Sequence, residues 1–279
     1  MTELQLEKVS KRYGKKLALQ DFSFTFSPGI TALLGANGAG KSTLINIMSG
    51  LLQADEGTVR CNGTDIRELK ESYLAKISPL FQSQPMFKSY TAEEYLAFCG
   101  SLKGMSAGDA ARQGRELLEQ FGILENRKKK IASFSGGMRQ RLALCGAFLG
   151  DPEILFLDEP SVGLDIYERE ELKSYLCGLK NRRIILISTH IVPDVENIAD
   201  CILLMKAGRL FETGTQEELV QALEGKVWEV PAKAELPAEA GLYHSDGKTL
   251  CFSDGQPCPE ARLKQPDLTD VYFRSLTGR

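Results

Sequence analysis

A chain of 279 residues can build one large domain, or one domain with a small appendix. An apolar fraction of 43% and a charged fraction of 25% exclude a disordered or fibrous chain, and no stretch approaches the ~20 apolar residues that a membrane-spanning helix needs. The formal charge of −3 gives no electrostatic ground for a nucleic-acid partner, and none is expected.

The chain begins with Glu3 and Glu7 in place of an apolar signal segment, so a cytosolic protein is expected. Leu4, Leu6 and Val9 alternate with Gln5 and Glu7, the pattern of a half-buried strand. Tyr13 follows within a polar run. Its ring could stack on a nucleobase or simply fill a hairpin, and the segment alone does not decide. Phe22, Phe24 and Phe26 alternate with Ser23 and Thr25, a second strand closed by a turn at Ser27, Pro28 and Gly29.

Residues 30–34 read as a short buried strand, and Leu44, Ile45, Ile47 and Met48 as the apolar face of a helix. Between them stand Gly35, Ala36, Asn37, Gly38, Ala39, Gly40, Lys41, Ser42 and Thr43. This is G-x-x-x-x-G-K-[ST] in its required strand–loop–helix setting, the pattern that holds a nucleoside triphosphate. Its glycines let the backbone come close to phosphate oxygens. Its N–H groups form an anion nest at the positive end of the helix. Lys41 is expected to reach the β- and γ-phosphates, and Ser42 to place its hydroxyl on Mg²⁺.

Further on, residues 57–63 read as a strand entering a tight turn and 69–75 as a short helix. Residues 77–82 read as a strand that delivers Gln82 to its end, where an amide can ligate Mg²⁺ or hold a water. Residues 91–150 are mostly helical, opening with a capping box at Thr91 and Glu94. A second helix covers 110–121. The basic run at 127–130 reads as a solvated loop. Ser135, Gly136 and Gly137 then make a second Gly-rich turn at a helix start, a second potential anion site.

Residues 154–157 form a continuous apolar run that ends in Asp158 and Glu159, as a central parallel strand would. Asp158 can hold Mg²⁺ through its water shell, and Glu159 can take the proton of an attacking water. A helix is expected over 168–179. The apolar run 184–187 delivers His190 to the same kind of strand end, where it can face a γ-phosphate. Residues 192–199 read as a helix and 201–205 as a last strand. Beyond about residue 226 prolines punctuate short strand-like pieces, with a hairpin turn expected at 245–248. The seven cysteines are scattered and read as reduced thiols, with no further ligands near Cys251 and Cys258 to make a metal site.

Together these residues resemble the ATP-binding cassette family, the motor subunits of ABC transporters, over roughly residues 3–223. Gly35 to Thr43 resembles the Walker A loop, and 154–159 resembles Walker B with its catalytic glutamate. Ser135, Gly136 and Gly137 are similar to the family signature, although Phe134 and Met138 replace its usual outer residues. The resemblance implies that Tyr13 stacks on adenine, Gln82 is the Q-loop glutamine, Asp165 the D-loop aspartate and His190 the switch histidine. Ile166 stands where a proline often follows that aspartate. The signature region and residues 266–273 are most like the ABC-2 exporter branch.

The resemblance implies an α/β fold. A mostly parallel P-loop NTPase sheet carries an antiparallel β subdomain, a helical signature subdomain at about 85–150 and a small C-terminal α+β appendix. The expected division is 1–225 for the cassette and 226–279 for the extension. It also implies ATP and Mg²⁺, catalysis by Glu159, His190 and Lys41, and an integral membrane permease as partner. A second cassette is expected to pair head to tail with this one, on the inner face of the cell membrane. A soluble ABC-type ATPase in translation or DNA repair is the alternative. One cassette and no heptad array argue against it. A nucleotide sensor without turnover is a third reading, opposed by the presence of Lys41, Asp158, Glu159 and His190.

Overall fold

The structure is a computed structural model that describes residues 2–83, 85–232, 241–245 and 247–277. In chain order the elements are β1 (Leu4–Tyr13), β2 (Lys16–Phe26), β3 (Gly29–Leu34), α1 (Lys41–Met48), β4 (Glu56–Cys61), β5 (Thr64–Asp65), α2 (Ile66–Leu69), α3 (Glu71–Leu74) and β6 (Ile77–Leu80). Then come α4 (Ala92–Leu102), α5 (Ala107–Gln120), α6 (Gly136–Phe148), β7 (Ile154–Asp158), α7 (Ile166–Leu179), β8 (Ile184–Thr189), β9 (Cys201–Lys206) and β10 (Arg209–Gly214). The chain closes with α8 (Gln216–Gln221), β11 (Val227–Val230), β12 (Gly241–Ser245), β13 (Lys248–Phe252), β14 (Arg262–Leu263) and α9 (Leu268–Thr277).

The central sheet has the order β10-β9-β3-β8-β7-β6 and is parallel except for the β9–β10 pair. Its inner strands β3, β8 and β7 are buried along their whole length because both faces are covered, whereas the edge strand β10 alternates between exposed and half-buried residues. Ile184 and Leu186 enter a core on the α1 side, while Ile185 and Ile187 enter one on the α6 and α7 side. An antiparallel sheet, β2-β1-β4-β5, covers the α1 side. A third sheet, β12-β13-β11-β14, is antiparallel throughout. This is the mixed α/β arrangement expected of a P-loop NTPase, with α4 to α6 inserted between β6 and β7. All seven cysteines are free thiols.

Three local expectations are corrected. The helix expected over 192–199 is only the 3-10 turn Val192–Asp194. Asn197 adopts φ +65°, which a helix cannot contain, so the turn does not propagate. The helix expected over 69–75 is split into α2 and α3, because Lys70 adopts φ +47° between them. The last strand of the cassette is β10, not β9: the turn at Ala207 and Gly208 returns the chain antiparallel. In the C-terminal sheet Ser245 pairs with Lys248 at the expected hairpin, while Asp246 lies outside the described residues.

Candidate active site

The loop between β3 and α1 is shaped by close backbone approach. Gly40 caps α1 at φ +109°, and a Cβ there would lie 2.5 Å from the Ala18 carbonyl. A Cβ at Gly35 would lie 2.5 Å from the Met205 carbonyl. Only glycine fits either position, which is the physical content of the spacing in the sequence. The loop thus turns back over β2 and β9 and presents the first turn of α1, whose N–H groups have no intrahelical acceptors.

Lys41 folds back under this loop. Its Nζ donates to the Gly35 carbonyl at 2.7 Å and to the Ala36 carbonyl at 3.3 Å. It is buried, and burial pushes its pKa below the ordinary lysine value, against the opposing pull of Glu159 and Asp158. Ser42 Oγ donates to Asp158 Oδ2 at 2.7 Å. This contact joins the start of α1 to the end of β7, neighbours across the sheet through β3 and β8.

Glu159 follows Asp158 at φ +52°, a left-handed conformation that costs a non-glycine residue about 1–3 kcal/mol. Its N–H donates to the Ser188 carbonyl at 2.8 Å, so β8 holds the strained turn. The buried carboxylate meets His190 Nδ1 through Oε1 at 2.8 Å, and Thr189 Oγ1 lies 3.3 Å from Oε2. The histidine ring itself is exposed.

One cleft of about 320 Å³ gathers Tyr13, Asn37, Gly38, Gly40, Lys41, Ser42, Thr43, Gln82, Asp158 and Glu159. Lys16 and Ala18 also line it and carried no signal in the sequence, being isolated residues of the β1–β2 hairpin. Gly35 and Ala39 form the floor of the loop, and His190 joins through Glu159. Ser135, Gly136, Gly137 and Asp165 do not line this cleft within one chain. Ser135 caps α6 through the Met138 N–H at 3.2 Å, and Asp165 caps α7 through the Glu168 N–H at 2.9 Å. Gly136 lines a separate groove of about 390 Å³, which Gln82 also borders.

A glycine-cradled loop with a buried lysine, paired acids at a strand end and a histidine on the second acid thus meet around one cleft. Residues 19–162 match the family model described as ABC transporter. The linearmycin resistance ATP-binding protein LnrL of Bacillus subtilis (strain 168) is 36% identical over 224 residues, 80% of this chain and 72% of that protein. This chain belongs to the ABC transporter family of ATP-binding proteins. A Nod factor export ATP-binding protein I of Burkholderia lata is 35% identical, over 99% of this chain and 97% of its own length. A solved structure titled as the ATP-binding subunit of an ABC transporter superposes with a TM-score of 0.73 at 29% identity, over 79% of this chain and 93% of that one.

As an ABC cassette the chain binds and hydrolyses ATP to power transport, and the soluble translation or repair alternative falls away. Cassettes of this family act with membrane permeases and dimerise. No helix among the described residues is long and apolar enough to cross a membrane.

The oxygen chemistry of the cleft suits a magnesium ion. Ser42 Oγ and Asp158 face each other there, and the β7–β8 register puts Ser188 beside Asp158 on the same face of the sheet. Ser188 Oγ is buried without a hydrogen-bond partner. Among the described residues no three His, Cys, Asp or Glu side chains converge as a full metal cage. Few protein oxygens, completed by phosphate and water, is the way such an ion is held.

Proposed function

We propose that Lys41, Glu159 and His190 carry out ATP hydrolysis in this cleft, on a nucleotide held by residues 35–43 and stacked on Tyr13. The observation that carries this reading is the Glu159–His190 contact at 2.8 Å beside a cleft floored by Lys41. Lys41 neutralises the β- and γ-phosphates. Glu159 takes the proton of the attacking water on Oε2, the oxygen that His190 does not occupy. In its doubly protonated form the histidine donates Nδ1–H to Glu159 and has Nε2–H left to donate to a γ-phosphate oxygen. Ser42, Asp158 and the Gln82 amide would hold Mg²⁺, which supplies charge neutralisation on the phosphates when bound.

The second half of the pocket comes from another copy of the fold. Ser135 to Gly137 begin the 13-residue helix α6 with an anion-binding end, yet lie outside the chain's own nucleotide cleft. Val162, Ile166 and Tyr167 are exposed apolar residues beside Asp165, a surface that a head-to-tail partner would cover. ATP then bridges Lys41 of one subunit and Ser135 of the other, and hydrolysis lets the pair open. The partner is a second copy or a sibling cassette.

Gln82 borders both the nucleotide cleft and the groove at the start of α6. This supports the reading that Gln82 and the helical insertion, residues 85–150, pass the stroke to an integral membrane permease. On that reading the cassette, 1–225, and its extension, 226–279, sit peripherally on the cytoplasmic face of the membrane.

The test is Glu159→Gln. Turnover measured by phosphate release should fall at least ~10²-fold. Size exclusion with light scattering should show an ATP-dependent dimer. Hydrolysis at the parental rate would remove Glu159 from the base role.

A further inference from the structure

Asp194 is a buried carboxylate to which the reading above gives no task. It ends the 3-10 turn Val192–Asp194, four residues beyond His190. A carboxylate persists in such a place only where donors converge on it. Three do, from three different elements. Ser161 Oγ, two residues beyond Glu159, donates to Oδ2. Thr189 Oγ1, one residue before His190, lies 3.4 Å from the same oxygen. The Arg169 guanidinium of α7 lies 3.4 Å from Oδ1, and its Nε reaches the Leu164 carbonyl at 3.3 Å.

Thr189 makes the link to the reacting groups. Its hydroxyl has one proton and lies near two carboxylates, Glu159 Oε2 at 3.3 Å and Asp194 Oδ2 at 3.4 Å. It also accepts the Ile191 N–H at 3.0 Å, which fixes the backbone just past His190. With Ser161 and Arg169 also on Asp194, that carboxylate keeps two donors when the single Thr189 proton turns to Glu159.

We propose that Asp194 is a positioning residue, tying the loop that follows Glu159 to the loop that carries His190 and so holding the Glu159–His190 pair in register. The proposal rests on the catalytic reading of Glu159 and His190. Asp194→Asn keeps the shape but removes the charge opposite Arg169 and turns an NH₂ group toward one of the three donors. Small misplacements of reacting groups are costly, so kcat should fall about 10- to 100-fold. The KM for ATP should stay within about twofold, because Asp194 does not line the cleft that binds the nucleotide.

The experiment is steady-state phosphate release on the full chain, well below each variant's Tm, for Asp194→Asn, Ser161→Ala and the double variant. Support is a kcat loss at steady KM in both single variants, with a double no worse than the more affected single. A parental kcat in Asp194→Asn, or losses that multiply in the double, overturns the proposal. So does a matched change in kcat and KM. Should Asp194→Asn fail to fold, Ser161→Ala decides by the same kcat criterion. Glu159→Gln is run beside them. If it hydrolyses at the parental rate, the catalytic reading has failed. If it is inactive while Asp194→Asn is not, only the positioning role has failed.

Discussion

Lys41 illustrates how a functional residue is held at the expense of the fold. The chain buries its ammonium against two carbonyls, and burial lowers its pKa from the ordinary lysine value. The unfolded chain therefore binds more protons than the folded one in the interval just below that ordinary value, and stability contributed by this group rises with pH there. Lys41→Met lacks the titration. In paired urea melts without nucleotide, the parent should gain on the variant as pH is raised from neutral toward about 10. A gap that stays constant or moves the other way would mean that the amine is not desolvated. Lys41 itself was legible in the sequence because its partners are contiguous with it. Asp158 and Glu159 were legible because they end an apolar run. Lys16, Ala18, Ser161 and Asp194 were not, since a single polar or small residue carries no periodicity, and only the folded chain shows what surrounds it.

Among elements, α9 shows most clearly what composition leaves hidden. Prolines after residue 226 marked a change of texture, and nothing there showed how closely the segment is bound. Leu268 and Val271 of α9 are fully buried in the same core as Val195, Ile202, Leu219 and Leu223. Asp270 accepts from Tyr243 Oη at 2.5 Å and from Lys264 Nζ at 2.5 Å, while Lys206 Nζ donates to the Leu276 carbonyl at 3.0 Å. Helix α9 also packs against the Val192–Asp194 turn and β9. Leu268→Ala should cost about 2–5 kcal/mol in urea denaturation, the range for truncating a leucine in a packed core. ATP affinity of the folded fraction should be unchanged. A loss under about 0.5 kcal/mol, as at an exposed site, would show that α9 lies loosely on the cassette. The strands were the easier elements to read: the runs of β7, β8 and β9, in the interior of the parallel sheet, stand out as unbroken apolar segments. The turn at 192–194 was misread because Val192, Val195 and Ile198 recur every three residues, while the left-handed backbone at Asn197, invisible in that pattern, ends any helix there.

At the scale of the whole molecule the question is where the second anion-binding end points. Gln140 of α6 donates to the Pro160 carbonyl at 2.8 Å, and a Cβ at Gly137 would lie 2.7 Å from the Gly163 carbonyl. The start of α6 is thus locked to the loop behind Glu159, and it cannot swing into its own chain's cleft without unpacking that loop. A pocket shared between two chains has a consequence that a self-contained pocket lacks. Lys41→Ala removes one half and Ser135→Phe obstructs the other, so each variant alone should be nearly inactive. In a mixed pair one pocket receives both defects and the other receives none. Random pairing in an equal mixture should therefore restore about a quarter of the parental ATPase rate, if the two pockets of a symmetric pair work independently. Phosphate release from the mixture, compared with each variant alone, measures this. Cooperation between pockets would lower the recovered fraction without abolishing it. A mixture no more active than the mean of its components would exclude a pocket shared between two copies of this chain, and a cycle in which a pair of identical cassettes closes on ATP and opens after hydrolysis would lose its structural basis.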